Sequence, residues 1–226
     1  MSRTYSNPVY PSASRLVASL GKWSGEGLSA ENSADDHERM RRQVDRGRMA
    51  ALRKGLMARD GWAPSAASVV GPYISVSMPK EQARSIFEMA ALYTLHPHTR
   101  VEPEKPKAWE RKYAITSAFR YQIEIDSERD REKFTQDREH WDKKITFLLD
   151  ATRDEVFTRL RKTIPAMLTD ASVPVDWVQL ALDLYAWDST DREVQRRWAR
   201  GWWGAPAWMN RPDPEADTAT SQPSDE

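Results

Sequence analysis

The sequence predicts an all-α protein. Three observations carry this. Apolar residues recur at helical spacing in segment after segment, capping signals stand at the starts of several of those segments, and no run alternates convincingly with a period of two. The one β-like stretch, SVVGPYISVS, contains a Gly-Pro pair that argues against a central strand.

Taken in order, residues 1–12 hold two prolines and several serines and are expected to be flexible. Residues 14–23 form a short amphipathic segment through Leu16, Val17, Leu20 and Trp23, which GKWSGEGLSAENS breaks. A longer helix is expected from Ser33–Asp36 to about Met57, rich in arginine in its first half and carrying Met49, Leu52 and Leu56 in its second. Asp35, Asp36 and Glu38 suit a helix N-terminus, where the macrodipole favours carboxylates. GWAP ends this helix, and SAASVVGPYI reads as an apolar connector. Pro79 fits the first turn of a helix over 79–95 with Ile86, Phe87, Ala90, Ala91 and Tyr93 inward.

HPHTRVEPEKPK is the best candidate domain boundary, giving segments 13–98 and 99–208. A helix is expected from Trp109 to the mid-120s. DSERDREKFTQDREHWDKK then reads either as a solvated helix or as a mobile insertion, and ITFLLD closes a helix. Thr152 and Glu155 have capping-box spacing and open a helix over 153–169. Asp176 can cap the next, and Thr190 with Glu193 makes a second capping box before REVQRRWARGWW, stopped by Gly204. Residues 209–226 read as a disordered acidic tail.

Composition narrows the function. The chain has 226 residues with 34 basic and 34 acidic side chains, so it lacks the excess charge of a protein that coats nucleic acid indiscriminately, though a basic stripe remains compatible. It has no cysteine, hence no disulfide framework and no thiolate metal site. No stretch approaches a membrane span and no apolar leader is visible, so a cytoplasmic protein without membrane contact is expected. Of the ten tryptophans, six follow residue 176, and each can bury on the order of 200 Å², which favours a compact C-terminal module.

No catalytic set emerges. His96 and His98 make an H-x-H pair, but no third ligand is near, and exposed loop histidines are expected. His37 and His140 lie in charged helical stretches and are expected to face solvent. Gly21, Gly25 and Gly27 match no phosphate-binding loop. No cofactor and no metal site are expected.

The basic residues are more informative. Arg53 and Lys54 end the second helix, and Lys80 and Arg84 lie one turn apart on the next. Lys143 and Lys144 precede ITFLLD. Arg153, Arg159, Arg161 and Lys162 share the capped helix, and Arg192 and Arg196 belong to the last. Any one of them can equally be part of a solvated face paired to local acids. Arg153 stands apart, because it lies along the same stripe as Phe157 and Leu160. It either pairs with a buried acid or emerges in a groove where it could hold a phosphate. In QRRWARGWWGAP, Val194, Trp198 and Trp202 share one face while Arg196, Arg197 and Arg200 take other sides, which suits burial on one side and an anionic contact on another.

Four segments in this order, FEMAALYTL, KKITFLLDATRDEVFTRLRK, VDWVQLALDLYAW and REVQRRWARGWWGA, resemble the CasB family, the small subunit of the type I-E CRISPR surveillance complex Cascade. The likeness covers roughly residues 40–205; extra residues near 126–142, an extended acidic tail and Asp150 depart from the family pattern. The resemblance implies two packed helical bundles and no enzymatic activity. It implies as partners the Cascade backbone subunits, the large subunit, a second copy of the chain, the guide RNA complex and non-target single-stranded DNA. In the family a basic surface is thought to guide the displaced strand and stabilise the R-loop. By position Lys144, Arg153, Arg161 and Lys162 match nucleic-acid contacts of the family, and Arg53, Lys54, Lys80 and Arg192 are matched to the same set. Two other functions stand against this: a purely structural adaptor whose arginines meet acidic partner proteins, and a duplex-reading regulator, which the bulky tryptophans on both sides of the last helix disfavour.

Overall fold

A computed structural model describes residues 7–24, 45–96, 113–129, 131–170 and 173–204, with side chains of 127–137 left aside. The regular elements among these residues are helices, as expected of the all-α class; the SVVGPYISVS run holds no strand. Among them, the one β-type pairing is an isolated parallel bridge between Tyr113 and Val175. The expectations for His37, His98, Asp35, Asp36, Glu38, Gly25, Gly27 and the acidic tail fall outside the described residues.

Helix α1 is Tyr10–Ser24. It starts earlier than expected, because Asn7 accepts the Val9 N–H at 3.0 Å on its side chain and the Tyr10 N–H at 3.0 Å on its carbonyl, and Val9 is fully buried. The flexible reading therefore fails for residues 7–12. Gly21 does not break α1, which continues to Ser24.

Helix α2 is Arg46–Gly55. Asp45 stands outside it at φ −80°, ψ 81° and accepts the Arg48 N–H at 2.9 Å. The helix expected from 33–36 to 57 therefore has its start at Asp45 in the described residues, where the cap satisfies an orphan donor, and the expected part over 33–44 lies outside them. The apolar connector is helical too. Pro64 opens α3, Pro64–Val70, with Ala66, Val69 and Val70 buried at helical spacing, and a 3₁₀ turn, Gly71–Tyr73, follows.

Helix α4, Lys80–Tyr93, is the central element: every residue from Ser85 to Tyr93 is buried. The turn after α2 crosses it closely. Gly61 has φ +72°, and a Cβ there would lie 2.6 Å from the Glu88 nitrogen, so only glycine permits the approach.

Helix α5, Ile115–Arg129, begins after Tyr113 has paired with the 174–176 backbone, which fixes its start later than Trp109. Helix α6, Arg131–Leu149, makes most of the charge-rich stretch helical. Helix α7, Arg153–Met167, opens on the predicted capping box, with Glu155 accepting the Thr152 N–H at 3.1 Å. Helix α8, Trp177–Tyr185, opens on Asp176, which accepts the Gln179 N–H at 2.9 Å.

Helix α9, Glu193–Trp203, departs from expectation at its start. Its N-cap is Arg192 in the left-handed region (φ 51°, ψ 41°), so Thr190 does not form a capping box with Glu193. Gly204 ends it, as expected.

The buried side chains form one continuous apolar cluster. Helix α8 packs on α4 and α1, while α9 packs on α5 and α6. Val194, Trp198 and Trp202 are all buried, and Trp198 meets Trp187 edge-on at 4.9 Å. The indole N–H groups of α9 end on carboxylates, while that of Trp187 donates to the Ala151 carbonyl at 2.8 Å. Trp198 donates to Asp183 at 2.5 Å, while Trp202 and Trp203 both donate to Asp142, at 2.6 and 3.0 Å. A buried indole needs such a partner.

Candidate nucleic-acid interface

The last two turns of α6 and the exposed side of α7 enclose an open groove of about 570 Å³. Helix α6 buries Ile145 and Leu148, so Lys144 and Phe147 fall on its other side. Helix α7 buries Val156, Phe157, Leu160 and Ile164, so Glu155, Thr158, Arg159 and Lys162 line the opposite wall. Arg59, from the turn after α2, and Asp154 also line it.

Lys144, Arg159 and Lys162, three of the expected cations, converge here from two helices. Lys144 stands 4.3 Å above the Trp141 ring, and neither it nor Lys162 makes an ion pair among the described residues. Arg159 is held more firmly. It donates to Glu155 at 2.8 Å and to the Phe147 carbonyl, and its guanidinium lies 3.7 Å from the Phe147 ring centroid.

Arg153 takes the buried-acid alternative. Its guanidinium pairs with Glu88 at 2.7 Å, and the two side chains are 9% and 0% exposed. It is turned into the core and does not line the groove, which corrects its expected contact with a phosphate. Arg84 completes the arrangement, with Nε 2.9 Å from Glu88 and Nη1 2.9 Å from Asp154, whose other oxygen meets Arg59 at 2.8 Å. A chain of alternating charge thus runs from the groove edge to the centre of the molecule.

Burial pushes the Glu88 carboxyl up from its ordinary value, and Arg153 and Arg84 pull it back only in part. Asp154 is held below its ordinary value, first by the hydrogen bond from Arg84 and then by the Arg59 charge. Glu155 is lowered chiefly by the Thr152 N–H.

The other expected cations are dispersed. Arg161 donates to the Leu56 carbonyl, which sets it beside the end of α2 that carries exposed Arg53 and Lys54. Lys143 is exposed and paired with Glu139 at 2.7 Å. Arg192 donates to the Leu149 carbonyl at 2.8 Å. Lys80 and Arg196 are exposed on α4 and α9. Of the arginines on α9, Arg197 pairs with buried Asp183 and so serves the core.

Arg59, Phe147 and Glu88 escaped the sequence reading. Glu88 had a visible signal, an acid inside the apolar run SIFEMAAL, and Phe147 another, an aromatic off the buried stripe of its helix. Arg59 had none, because only the α2–α3 turn brings it to α7.

His96 is buried, with Nε2 3.1 Å from the Val173 carbonyl and its ring edge-on to Trp177, which corrects the exposed-loop expectation. His140 is exposed, as expected. Among the described residues no three His, Asp or Glu side chains are gathered to hold a metal, and no helix is long and apolar enough to cross a membrane.

The family described as CRISPR-associated protein Cse2 matches residues 48–203. A Cse2 protein of Thermus thermophilus is 28% identical over 161 residues, which is 70% of this chain and 79% of that protein. The crystal structure of CasB from Thermus thermophilus superposes with a TM-score of 0.55 at 24% identity, over 88% of this chain and 99% of that one. A chain of a CRISPR RNA-guided surveillance complex gives 0.54 at 21% identity, over 86% and 92%.

Proposed function

The chain belongs to the Cse2 (CasB) family of CRISPR-associated proteins, and on that premise we propose that it is a non-catalytic small subunit of a type I-E Cascade complex. It binds nucleic acid without sequence preference and stabilises the R-loop by holding the displaced non-target DNA strand, in the cytoplasm and away from membranes. Its partners are the backbone and large subunits, a second copy of itself and the guide RNA complex. The boundary between its two bundles lies at 98/99.

The observation that carries this reading is the meeting of Lys144, Arg159 and Lys162 in one open groove. The energetics suit such a site. The heteroduplex gained in an R-loop is about as stable as the duplex it replaces, so modest contacts to the freed strand tip the balance. Lysine and arginine supply these through phosphate neutralisation and counterion release. Cations spaced along helices carry no base-reading geometry, which fits a subunit whose target changes with the guide.

The test is the salt dependence of single-stranded DNA binding. Each lysine–phosphate pairing that is removed lowers the slope of log affinity against log salt by about 0.7. Lys144→Glu with Lys162→Glu is expected to lower it by about 1.4. An unchanged slope would remove the strand-holding role.

A second reading has its own observation. Met57 and Trp62, in the turn after α2, are large exposed apolar side chains that follow Arg53 and Lys54 in the chain. They favour a structural adaptor that bridges neighbouring subunits, with DNA binding incidental. Loss of subunit association in Trp62→Ala, with the salt slope intact, would support this.

A further inference from the structure

We propose that Phe147 is a stacking seat for a single unpaired nucleobase, a role that rests on the strand-holding reading of the groove. Phe147 is 61% exposed although its neighbours on α6, Ile145 and Leu148, are fully buried. It therefore contributes nothing to the core at that position and lies open in the groove wall.

One face of its ring is already backed. The Arg159 guanidinium sits 3.7 Å from the ring centroid and is itself fixed by Glu155 and by the Phe147 carbonyl. The backing cation cannot swing away without breaking both bonds, so the ring is held in place with its remaining surface free. A ring held in advance loses little conformational freedom when a flat partner settles on it.

The groove chemistry selects a nucleobase over an apolar segment of protein. Lys144 and Lys162 have no anionic partner among the described residues. An apolar segment covering Phe147 would desolvate both ammonium groups without compensation. A nucleotide brings a π face for the ring and a phosphate for the lysines in one unit. Stacking is sequence-tolerant because every base has such a face.

The experiment compares the full chain with Phe147→Ala and Phe147→Trp on oligothymidylate and on an abasic sugar–phosphate oligomer of equal length. Phe147→Ala is expected to weaken oligothymidylate binding by about 5- to 150-fold, the range for one stacked base. The salt slope and the affinity for the abasic strand stay unchanged, and Phe147→Trp retains wild-type affinity. Phe147→Ala binding oligothymidylate as tightly as wild type overturns the proposal, as does an equal loss on both strands. A normal Phe147→Ala effect beside an unaltered slope in the double lysine variant would sink the phosphate reading alone. Failure of the wild-type chain to bind either strand at low salt overturns both.

Discussion

At the scale of single residues, the decisive fact is where each cation finds its anion. Arg153 and Lys162 lie on one helix, yet one is spent in the core and the other faces the groove. Glu88, fully buried between Arg84 and Arg153, makes the difference. Glu88→Ala leaves two arginines without their acid, and a loss of about 3–5 kcal/mol is expected, measured by denaturant unfolding. The pH dependence of the two acids has opposite sign. Glu88, raised by burial, contributes stability that is fully present below its ordinary value of 4.5 and lost as pH rises through its folded value. Asp154, lowered by Arg84 and Arg59, contributes stability that is present above its ordinary value of 3.8 and lost as pH falls through its folded value. Asp154→Asn is therefore expected to flatten the decline of stability on acidification, followed as melting temperature against pH. The Arg153 alternatives could not be separated in the sequence, because the acid that decides between them lies 65 positions away.

At the scale of elements, helix periodicity and caps carried most of the information. The α7 capping box and the Asp176 cap depend on residues three positions apart and were legible. The α9 start was not, because a left-handed Arg192 sets it where Thr190 and Glu193 offered a plausible box. The tryptophan face of α9 was legible from spacing, while its anchors, Asp183 on α8 and Asp142 on α6, were not. Trp198→Ala is expected to cost about 3–5 kcal/mol, since it removes a fully buried indole and strips Asp183 of a donor. Trp203→Ala, at a residue 45% exposed, is expected to stay within about 0.5 kcal/mol. Equal losses in the two variants, read from urea midpoints, would show that the buried stripe is not what holds α9.

At the scale of the whole molecule, α8 joins parts of the chain that are far apart in sequence, since it packs on α1 and α4. A single unfolding transition, coincident by tryptophan fluorescence and by circular dichroism, is expected, and two separated transitions would show that α8 does not couple them. The 34 basic and 34 acidic side chains balance over the whole chain, while local segregation leaves Lys144 and Lys162 on one groove with no ion pair among the described residues. The sequence by itself determined most of the helices, the caps of α7 and α8, the apolar faces and the family, because all of these are written in short-range spacing and composition. Only the tertiary structure decided which arginines serve the core, which cations share a groove, that Arg59 joins them and that Phe147 stands open beside them. Those outcomes depend on contacts between residues tens of positions apart, and a charge on a helix face carries no mark of the partner that folding will bring to it.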